Sequence, residues 1–335
     1  MENEKEKKYS VGVDIGGTNI HVALVDADGK IVRQERFATR DHMDVNDFVA
    51  HLSSEILDQV QSAGVAVIDR STGKVSDSDC NVIGIGVAAP SVNSKTRCIE
   101  NPARLPWRGI TPLAYMLEAS TGLPVWLAND ANAATIGEMV YGCARGMENF
   151  IVITLGTGVG SGIVVDGHLL NGTHGFAGEL GHMTFGFAAD RHCGCGRNGC
   201  LETCCNAGGV VETARRMMNS TDTPSVLREL TEEQLTAKAI GEALLAGDEL
   251  AAKVFHFTED AMGRAFAEFC AFCDPEAIIL FGGVADPREL SADHIKEVMD
   301  EHMLYLYRDT KVLFSILPGA DAAILGAASL PWQNK

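Results

Sequence analysis

The strongest constraint on the fold is an arrangement of strands and glycine turns that occurs twice in the chain. In the first copy, the apolar run from Tyr9 to Asp14 precedes a glycine turn, and the next apolar run ends at a polar turn around Asp26. In the second copy, the run from Phe150 to Leu155 precedes a glycine turn, and the following run ends at Asp166. This order indicates strand hairpins. Its repetition predicts two related α/β lobes rather than two unrelated domains.

The rest of the chain alternates between helical and strand-like apolar spacing, which is typical of the α/β class. The final helix is assigned to the first lobe. We therefore predict a small N-terminal lobe of residues 1–128 plus 321–335, and a large C-terminal lobe of residues 129–320. The predicted helices cover residues 45–60, 113–121, about 250–273 and 322–330, with one more through Glu138, and the predicted strands cover 82–87, 124–127 and 277–281.

Composition excludes several classes of protein. Of the 335 residues, 46% are hydrophobic, so the chain can bury a sizeable core. Its 27 basic and 45 acidic residues give a net charge of −18, which disfavours binding to nucleic acid or anionic membranes. The charged first residues lack the apolar stretch of a secretory signal, and no apolar run approaches the roughly 18 residues of a membrane span. We therefore expect a cytoplasmic protein whose ten cysteines are thiols or metal ligands.

Three glycine turns each follow a predicted strand. Glycine lets backbone N–H groups approach a ligand with no Cβ in the way, and phosphates are commonly bound in this manner. Because tight hairpins also use glycine, one such turn alone is a weak signal. Three in order favour a phosphate-binding function. The turns are Gly16-Gly17-Thr18, Gly156-Thr157-Gly158 and Gly282-Gly283.

Two aspartates stand at the ends of predicted strands. Asp14 could bind Mg²⁺ directly or through water, or it could instead cap its turn by accepting a hydrogen bond from Gly17 or Thr18. Asp130 follows Asn129 at the end of a strand and precedes a helix. There it could accept a hydroxyl proton as a general base, or it could instead be the helix N-cap. Spacing alone leaves both alternatives open.

A cluster of cysteines predicts a metal site. Cys193, Cys195 and Cys200 have a CxCx4C spacing with glycines between them, which suits zinc thiolates; free thiols in a glycine loop are the alternative. His182 is the favoured fourth ligand, and it lies three residues after Glu179, so the two share one side of a helical turn. Four protein ligands would make the zinc structural. The rival fourth ligands are His192, His174, Cys204 and Cys205.

The loop at residues 100–107 combines a polar turn with an aromatic side chain. Asn101 and Trp107 suit a carbohydrate, because the amide can bind hydroxyl groups while the indole buries an apolar sugar face. Arg104 and Arg108 are expected to be solvated. By themselves these residues indicate only a loop.

Together these motifs resemble the ROK family of sugar kinases and repressors over nearly the whole chain. The resemblance implies a two-lobed fold of the actin, hsp70 and sugar-kinase type, which is ribonuclease H-like, with a cleft between duplicated α/β halves. The pair AGELGH and CGCG..GCLE is specific, whereas the glycine turns are not. The matching segments are DIGGTNI at 14–20, ENPARLPW at 100–107, NDANAA at 129–134, LGTGVGSG at 155–162, GFAGELGH at 175–182, CGCGRNGCLE at 193–202, FGG at 281–283 and DAAILGAASL at 321–330.

The resemblance also implies roles for individual residues. Asp130 would be the base on the sugar 6-hydroxyl, Asp14 would lie beside Mg²⁺, and His182 would bind sugar through one nitrogen and zinc through the other. The glycine turns would bind ATP, with Gly16, Gly17, Thr18, Gly156, Thr157 and Gly158 at the phosphates and Gly282 and Gly283 at the adenosine. The sugar hydroxyls would be held by Asn101, Asn129, Glu179, His182 and Glu202.

The implied activity is ATP-dependent phosphorylation of the 6-hydroxyl of glucose, since the motifs most resemble bacterial glucokinases of this family. Alternatives are a kinase for N-acetylglucosamine, N-acetylmannosamine, mannose or fructose, or a non-catalytic sugar-sensing regulator. Asp14 comes too early for the DNA-binding segment of family repressors, so no nucleic-acid partner is expected. The family suggests a homodimer or tetramer. One departure is Ala89-Pro90-Ser91, where many members have Pro-Gly, and it leaves the identity of the sugar open.

Overall fold

The computed structural model describes residues 7–39, 44–69, 71–76, 80–102, 105–317 and 321–333. The strands are β1 (Tyr9–Ile15), β2 (Asn19–Asp26), β3 (Ile31–Ala38), β4 (Val82–Ala88), β5 (Val92–Asn93), β6 (Cys98–Glu100), β7 (Ile110–Thr111), β8 (Val125–Ala128), β9 (Phe150–Leu155), β10 (Val159–Val165), β11 (His168–Leu169), β12 (Ala277–Phe281) and β13 (Lys311–Phe314). The α-helices are α1 (Val45–Ser62), α2 (Leu113–Thr121), α3 (Asp130–Val140), α4 (Glu202–Cys205), α5 (Ala207–Ser220), α6 (Ala237–Leu245), α7 (Glu249–Cys273), α8 (Ala292–His302) and α9 (Ala322–Gln333).

The chain divides into two compact units. Unit 1 comprises residues 1–146, 171–177 and 316–335, and unit 2 comprises residues 147–170 and 178–315. This division places α3 in unit 1, whereas the sequence analysis drew the lobe boundary before that helix. The cysteine loop near residues 182–200 lies in unit 2, and α9 lies in unit 1.

Each unit contains its own five-stranded sheet, and the two sheets have the same topology. In unit 1 the strand order is β3-β2-β1-β4-β8, and in unit 2 it is β11-β10-β9-β12-β13. In each sheet the first three strands pair antiparallel, and the last two join in parallel. The three antiparallel strands are those that surround the glycine turn and the polar turn. The duplicated turns in the sequence therefore correspond to a duplicated sheet topology.

The principal elements begin and end close to their predicted limits because local signals fix those limits. Helix α2 ends at Gly122, whose φ of 78° is the left-handed conformation that glycine favours. Helix α7 begins after Asp248, whose side chain accepts from the N–H of Ala251. Its apolar stripe, including Phe266 and Phe269, is fully buried in the core, as the spacing predicts.

Each unit has its own hydrophobic core. The core of unit 1 runs from Val11 to Leu127, and that of unit 2 from Ile151 to Val312. In the described part of the chain, every helix falls short of the length and apolar character needed to span a membrane.

Several glycines serve packing rather than turns. In unit 1 a Cβ on Gly86 of β4 would lie 1.9 Å from the carbonyl oxygen of Ala327 in α9. A Cβ on Gly137 of α3 would lie 2.9 Å from the Cα of Gly326. Both separations are shorter than van der Waals contact, so these positions require glycine. Part of the glycine content therefore lets α9 approach β4 and α3 closely.

Candidate active site and metal centre

Two carboxylates meet at the carboxyl edge of the unit 1 sheet. Asp14 is the penultimate residue of β1, and Asp130 follows the end of β8; both strands run parallel to β4, which lies between them. Burial raises the pKa of Asp14 to about 6, the charge of Asp130 adds to the rise, and Arg36 opposes it. Sheet topology therefore places these two acidic groups within reach of each other, an arrangement that suits a bound cation.

The N-cap of α3 is Asn129, not Asp130. The Oδ1 atom of Asn129 accepts from the N–H of Asn132 at 2.7 Å, with an extended backbone at Asn129 (φ −71°, ψ 166°). Asp130 is the first helical residue and is exposed. The alternative that Asp130 is the helix N-cap is therefore removed.

Two of the glycines predicted to bind ATP have no structural reason to be glycine. Gly156 and Gly283 have no left-handed φ, and a Cβ on either would meet nothing within 4 Å. By contrast, Gly282 has a φ of +113° and would bring a Cβ within 2.4 Å of the carbonyl oxygen of Leu155. Folding therefore explains the glycine at position 282, whereas positions 156 and 283 leave open space in which a ligand could approach the backbone.

The remaining residues of the turns are held by neighbouring backbone and side chains. The Gly16 N–H donates to the carbonyl of Asn19 at 2.9 Å, which closes the turn that contains Gly17 and exposed Thr18. In unit 2, the side-chain amide of Asn206 donates to the carbonyl of Thr157 at 2.9 Å.

Glu202 joins the second glycine turn to the cysteine loop. Its Oε2 accepts from the N–H of Val159 at 2.8 Å, and its Oε1 lies 3.7 Å from the Sγ of Cys193. A Cβ on Gly158 would lie 2.7 Å from the same Oε2, so glycine at that position allows the carboxylate to approach. A shift of the cysteine loop would therefore move Glu202 and, through it, the glycine turn.

Glu179 and His182 bracket a single 3-10 turn, Leu180–His182, as their spacing predicts. The N–H of His182 donates to the carbonyl of Glu179 at 3.1 Å. Both side chains line an open pocket of about 700 Å³ together with Met183, Thr184 and Arg197. A carboxylate and an imidazole thus face a space that a polar ligand could enter.

Four side chains form a metal-binding constellation. One ligand atom from each of His182, Cys193, Cys195 and Cys200 lies within 4.8 Å of all the others. The Sγ of Cys193 is 3.7 Å from Nδ1 of His182, and the Sγ atoms of Cys195 and Cys200 are 3.6 Å apart. Zinc at about 2.3 Å from each sulfur in a tetrahedron requires ligands about 3.7 Å apart. The donor set and its spacing therefore fit zinc.

The rival fourth ligands are not part of this constellation. Nδ1 of His192 lies 3.0 Å from the Oδ1 of Asn198, and Cys204 and Cys205 are buried in α4. His174 belongs to unit 1 and is exposed. His182 is the histidine that the fold brings to the cysteines.

Arg197 is a site residue that sequence reasoning missed. Its guanidinium donates to the carbonyl of His182 at 3.0 Å, and its hydrogen bond to Cys195 lowers the pKa of that thiol to about 6. Burial instead raises the pKa of Cys200 to about 12. The position of Arg197 between two cysteine ligands is the signal that could have found it.

The loops at residues 91 and 101 have unusual backbone conformations. Asn101 has a φ of 48° and Ser91 a φ of 58°, and the Ser91 carbonyl accepts from the N–H of Glu100 at 2.9 Å. Left-handed conformations cost a non-glycine residue about 1–2 kcal/mol. Ser91 therefore keeps a glycine-like backbone in the segment where many family members have Pro-Gly.

One interpretation of the neighbouring loop is wrong. Trp107 is only 7% exposed and packs on Phe48 with ring centroids 4.7 Å apart, so it belongs to the core rather than to a carbohydrate surface. Arg108 is exposed, as expected, and its guanidinium also donates to the carbonyl of Leu105 at 2.9 Å. Arg104 lies outside the described residues.

The predicted base and sugar-binding residues belong to both units. Asn101, Asn129 and Asp130 belong to unit 1, and Glu179, His182 and Glu202 belong to unit 2.

A comparison with protein-family models matches residues 10–334 to the ROK family. The chain belongs to the ROK family. It is 33% identical over 330 residues to a glucokinase of Halalkalibacterium halodurans, an alignment that covers 98% of this chain and 96% of the relative. It is also 33% identical to the xylose repressor of Bacillus subtilis, but over only 198 residues, which are 59% of this chain and 48% of the repressor.

Solved structures show the same fold. The ROK family glucokinase of Streptomyces griseus, solved in complex with glucose and AMPPNP, is 30% identical, with a TM-score of 0.73, and the match covers 97% of this chain and 99% of that one. The fold is thus the two-lobed α/β fold of ROK sugar kinases, as the motifs imply.

Proposed function

We propose that this ROK protein is a glucokinase that transfers the γ-phosphoryl group of ATP to the 6-hydroxyl of glucose. The observation that carries the proposal is the pair of carboxylates at one sheet edge, with Asn129 rather than Asp130 in the capping role. The name of the Halalkalibacterium relative and the glucose and AMPPNP in the Streptomyces structure support glucose as the acceptor and ATP as the donor.

Asp130 is the proposed general base. It would accept the proton of the sugar 6-hydroxyl as that oxygen attacks the phosphoryl group. Removal of the proton raises the negative charge on the attacking oxygen. Asp14 would contribute to holding Mg²⁺, and the ion would neutralise charge on the transferring phosphoryl group. Because the pKa of Asp14 is about 6, its carboxylate is ionised at neutral pH and can act as a cation ligand.

The other predicted site residues would bind the sugar and the nucleotide. We propose that the sugar hydroxyls are bound by Asn101, Asn129, Glu179, His182 and Glu202. The open approach to Gly156 and Gly283 supports phosphate and adenosine binding at those turns. The residues proposed to bind ATP are Asp14, Gly16, Gly17, Thr18, Gly156, Thr157, Gly158, Gly282 and Gly283.

We also propose a structural zinc ion bound by His182, Cys193, Cys195 and Cys200. The spacing of these ligand atoms supports a closed tetrahedral site. Zinc at Nδ1 of His182 would leave Nε2 for a sugar hydroxyl and would fix the ring orientation. The ion would thereby organise one wall of the sugar site without entering the reaction. Assembly into a dimer or tetramer stays a prediction.

A kinase for another hexose and a non-catalytic regulator are the competing functions. The xylose repressor match gives the regulator a specific observation in its favour, although that match covers only part of both chains. A regulator would bind sugar without turnover, whereas a kinase for another hexose would turn over a different sugar.

A sugar panel with ATP, using the wild-type protein and Asp130→Asn, tests the proposal. Wild type should prefer glucose, and the variant should lose about 10²–10⁴-fold in kcat because a general base is typically worth that much. Asp58→Asn, an exposed change in α1, is the matched control and should leave kcat unchanged. Near-normal turnover by Asp130→Asn would remove Asp130 from the mechanism, and sugar binding without turnover by wild type would favour the regulator.

A further inference from the structure

A second cluster of metal-ligating side chains lies in unit 2, where α7 packs on α8. One ligand atom from each of His256, Glu259 and His294 lies within 4.8 Å of the other two. His256 and Glu259 are one turn apart on α7, and His294 is in the first turn of α8. No residue of this cluster belongs to the glycine turns or to the cysteine loop.

Close packing of the two helices brings these side chains together. A Cβ on Gly263 of α7 would lie 2.6 Å from the Cβ of Val298 and 2.8 Å from the carbonyl oxygen of Ile295, both in α8. Only glycine at position 263 allows this approach. The aromatic edge contact of His256 and His294, with ring centroids 5.0 Å apart, is a consequence of it.

Glu259 is a buried carboxylate with its two oxygens in different roles. Its side chain is 5% exposed, and its Oε1 accepts from the N–H of Ser291, the N-cap of α8, at 2.6 Å. Its Oε2 lies 3.2 Å from Nδ1 of His256. Burial raises the pKa of Glu259. The cap of α8 explains the position of Oε1. It does not explain why His256 and His294 both lie near this carboxylate.

The surroundings favour a cation and give it access. The Oδ1 of Asp260 lies 2.9 Å from Nε2 of His294, and such a carboxylate orients a metal-binding imidazole. An open pocket of about 520 Å³ has His256, Glu259 and Glu289 in its wall. Arg288 also lines this pocket, but its guanidinium pairs with Asp286 at 2.5 Å.

We propose that His256, Glu259 and His294 form a second metal site, which takes a divalent transition-metal ion such as Zn²⁺ or Ni²⁺ and clamps α8 to α7. Two imidazoles with one carboxylate suit these ions rather than Mg²⁺ or Ca²⁺, which prefer oxygen ligands. Three protein ligands leave room for water, so the ion is exchangeable. The site is independent of the proposed kinase activity.

Calorimetric titration of untagged protein that already carries its cysteine-loop zinc, with Ni²⁺ as the probe, tests this site. Wild type should bind one further equivalent, and His256→Gln and His294→Gln should each weaken binding by about tenfold or more. His302→Gln, at the other end of α8, is the matched control and should bind as wild type does. Ni²⁺ should also raise the Tm of wild type and of the control, but not that of the two variants.

Two results would overturn the proposal. One is the absence of a further equivalent in wild type, which would leave the cluster as a set of hydrogen bonds around the α8 cap. The other is equal binding by wild type and by a variant that combines His256→Gln with His294→Gln, which would identify adventitious surface binding. Anomalous scattering from a nickel-soaked crystal, with a peak expected between α7 and α8, locates the ion independently of the variants.

Discussion

At the scale of single residues, position in the fold separates functional groups from structural ones of the same type. Asp14 and Asp130 meet because their strands are parallel neighbours of β4, and neither residue's local sequence shows this. Among glycines, Gly156 is free of steric demand whereas Gly86 is not. The environment, not the residue type, decides which role each one has.

Asp14→Asn should stabilise the ligand-free protein while removing activity. Burial holds the pKa of Asp14 at about 6, above its ordinary value of 3.8, so the folded protein binds more protons than the unfolded chain between those pH values. The stability of wild type therefore falls as pH rises from about 4 to 6. We expect the variant to gain about 1–3 kcal/mol at pH 8 in urea unfolding without Mg²⁺, and nothing at pH 3.5.

Asp28→Asn, in the exposed turn after β2, is the control for that change and should behave as wild type at both pH values. An equal free energy of unfolding for wild type and Asp14→Asn at pH 8 would show that the ionised Asp14 carboxylate does not destabilise the folded state.

Gly156→Ala should keep the fold and impair ATP use. A methyl group there meets no protein atom within 4 Å, so stability should change by less than about 1 kcal/mol, but the methyl would occupy space proposed for a phosphate. We expect a rise of about tenfold or more in the KM for ATP, with an unchanged KM for glucose. Gly186→Ala, equally unhindered and outside the turns, should leave both constants unchanged. An unaltered KM for ATP in Gly156→Ala would place the phosphates elsewhere.

At the scale of elements, the 3-10 turn at Leu180–His182 and the cysteine loop depend on each other. Nδ1 of His182 lies 3.7 Å from the Sγ of Cys193 in the loop, and Arg197 of the loop donates a hydrogen bond to the His182 carbonyl. Glu202 extends the connection to the N–H of Val159. These segments contain little regular secondary structure, so the proposed zinc ion would contribute to their order.

Elemental analysis should find about one zinc per chain, and Cys195→Ser should lower that content. Loss of the ion should loosen His182 and Glu179, so we expect the KM for glucose to rise about tenfold or more and the Tm to fall, with a smaller effect on the KM for ATP. Cys80→Ser, a half-buried cysteine outside the constellation, is the control. Metal-free protein with normal Tm and glucose KM would disprove the structural zinc.

At the scale of the whole molecule, the two units have the same sheet topology but differ in the helices and loops that surround the sheet. Unit 1 packs α3 and α9 closely through glycine, whereas unit 2 carries the cysteine loop and the long α7. With a net charge of −18, the protein offers ATP no broad basic field, so the proposed binding depends on Mg²⁺ and oriented backbone amides.

Glucose should raise the Tm of the protein and of Asp130→Asn alike. A ligand that binds only the folded state stabilises it by about 2.7 kcal/mol at 100 times its Kd. Asp130 is proposed to act on the proton rather than to supply most of the affinity. The gain in the free energy of unfolding that glucose produces should therefore agree between the two proteins within about 1 kcal/mol. Xylose is the comparison sugar, and a larger shift with xylose than with glucose would contradict the assignment and favour a xylose-binding regulator.

The sequence by itself determined the duplicated sheet, the limits of the helices it predicted and the family, because periodicity, capping residues and short motifs are local properties. Only the tertiary structure decided that Asn129 rather than Asp130 caps α3, that Trp107 is core, and that Glu202 joins two segments. It alone brought His256 to His294, across helices that Gly263 allows to approach. These relations depend on distances between residues far apart in the chain, which packing sets and spacing does not encode.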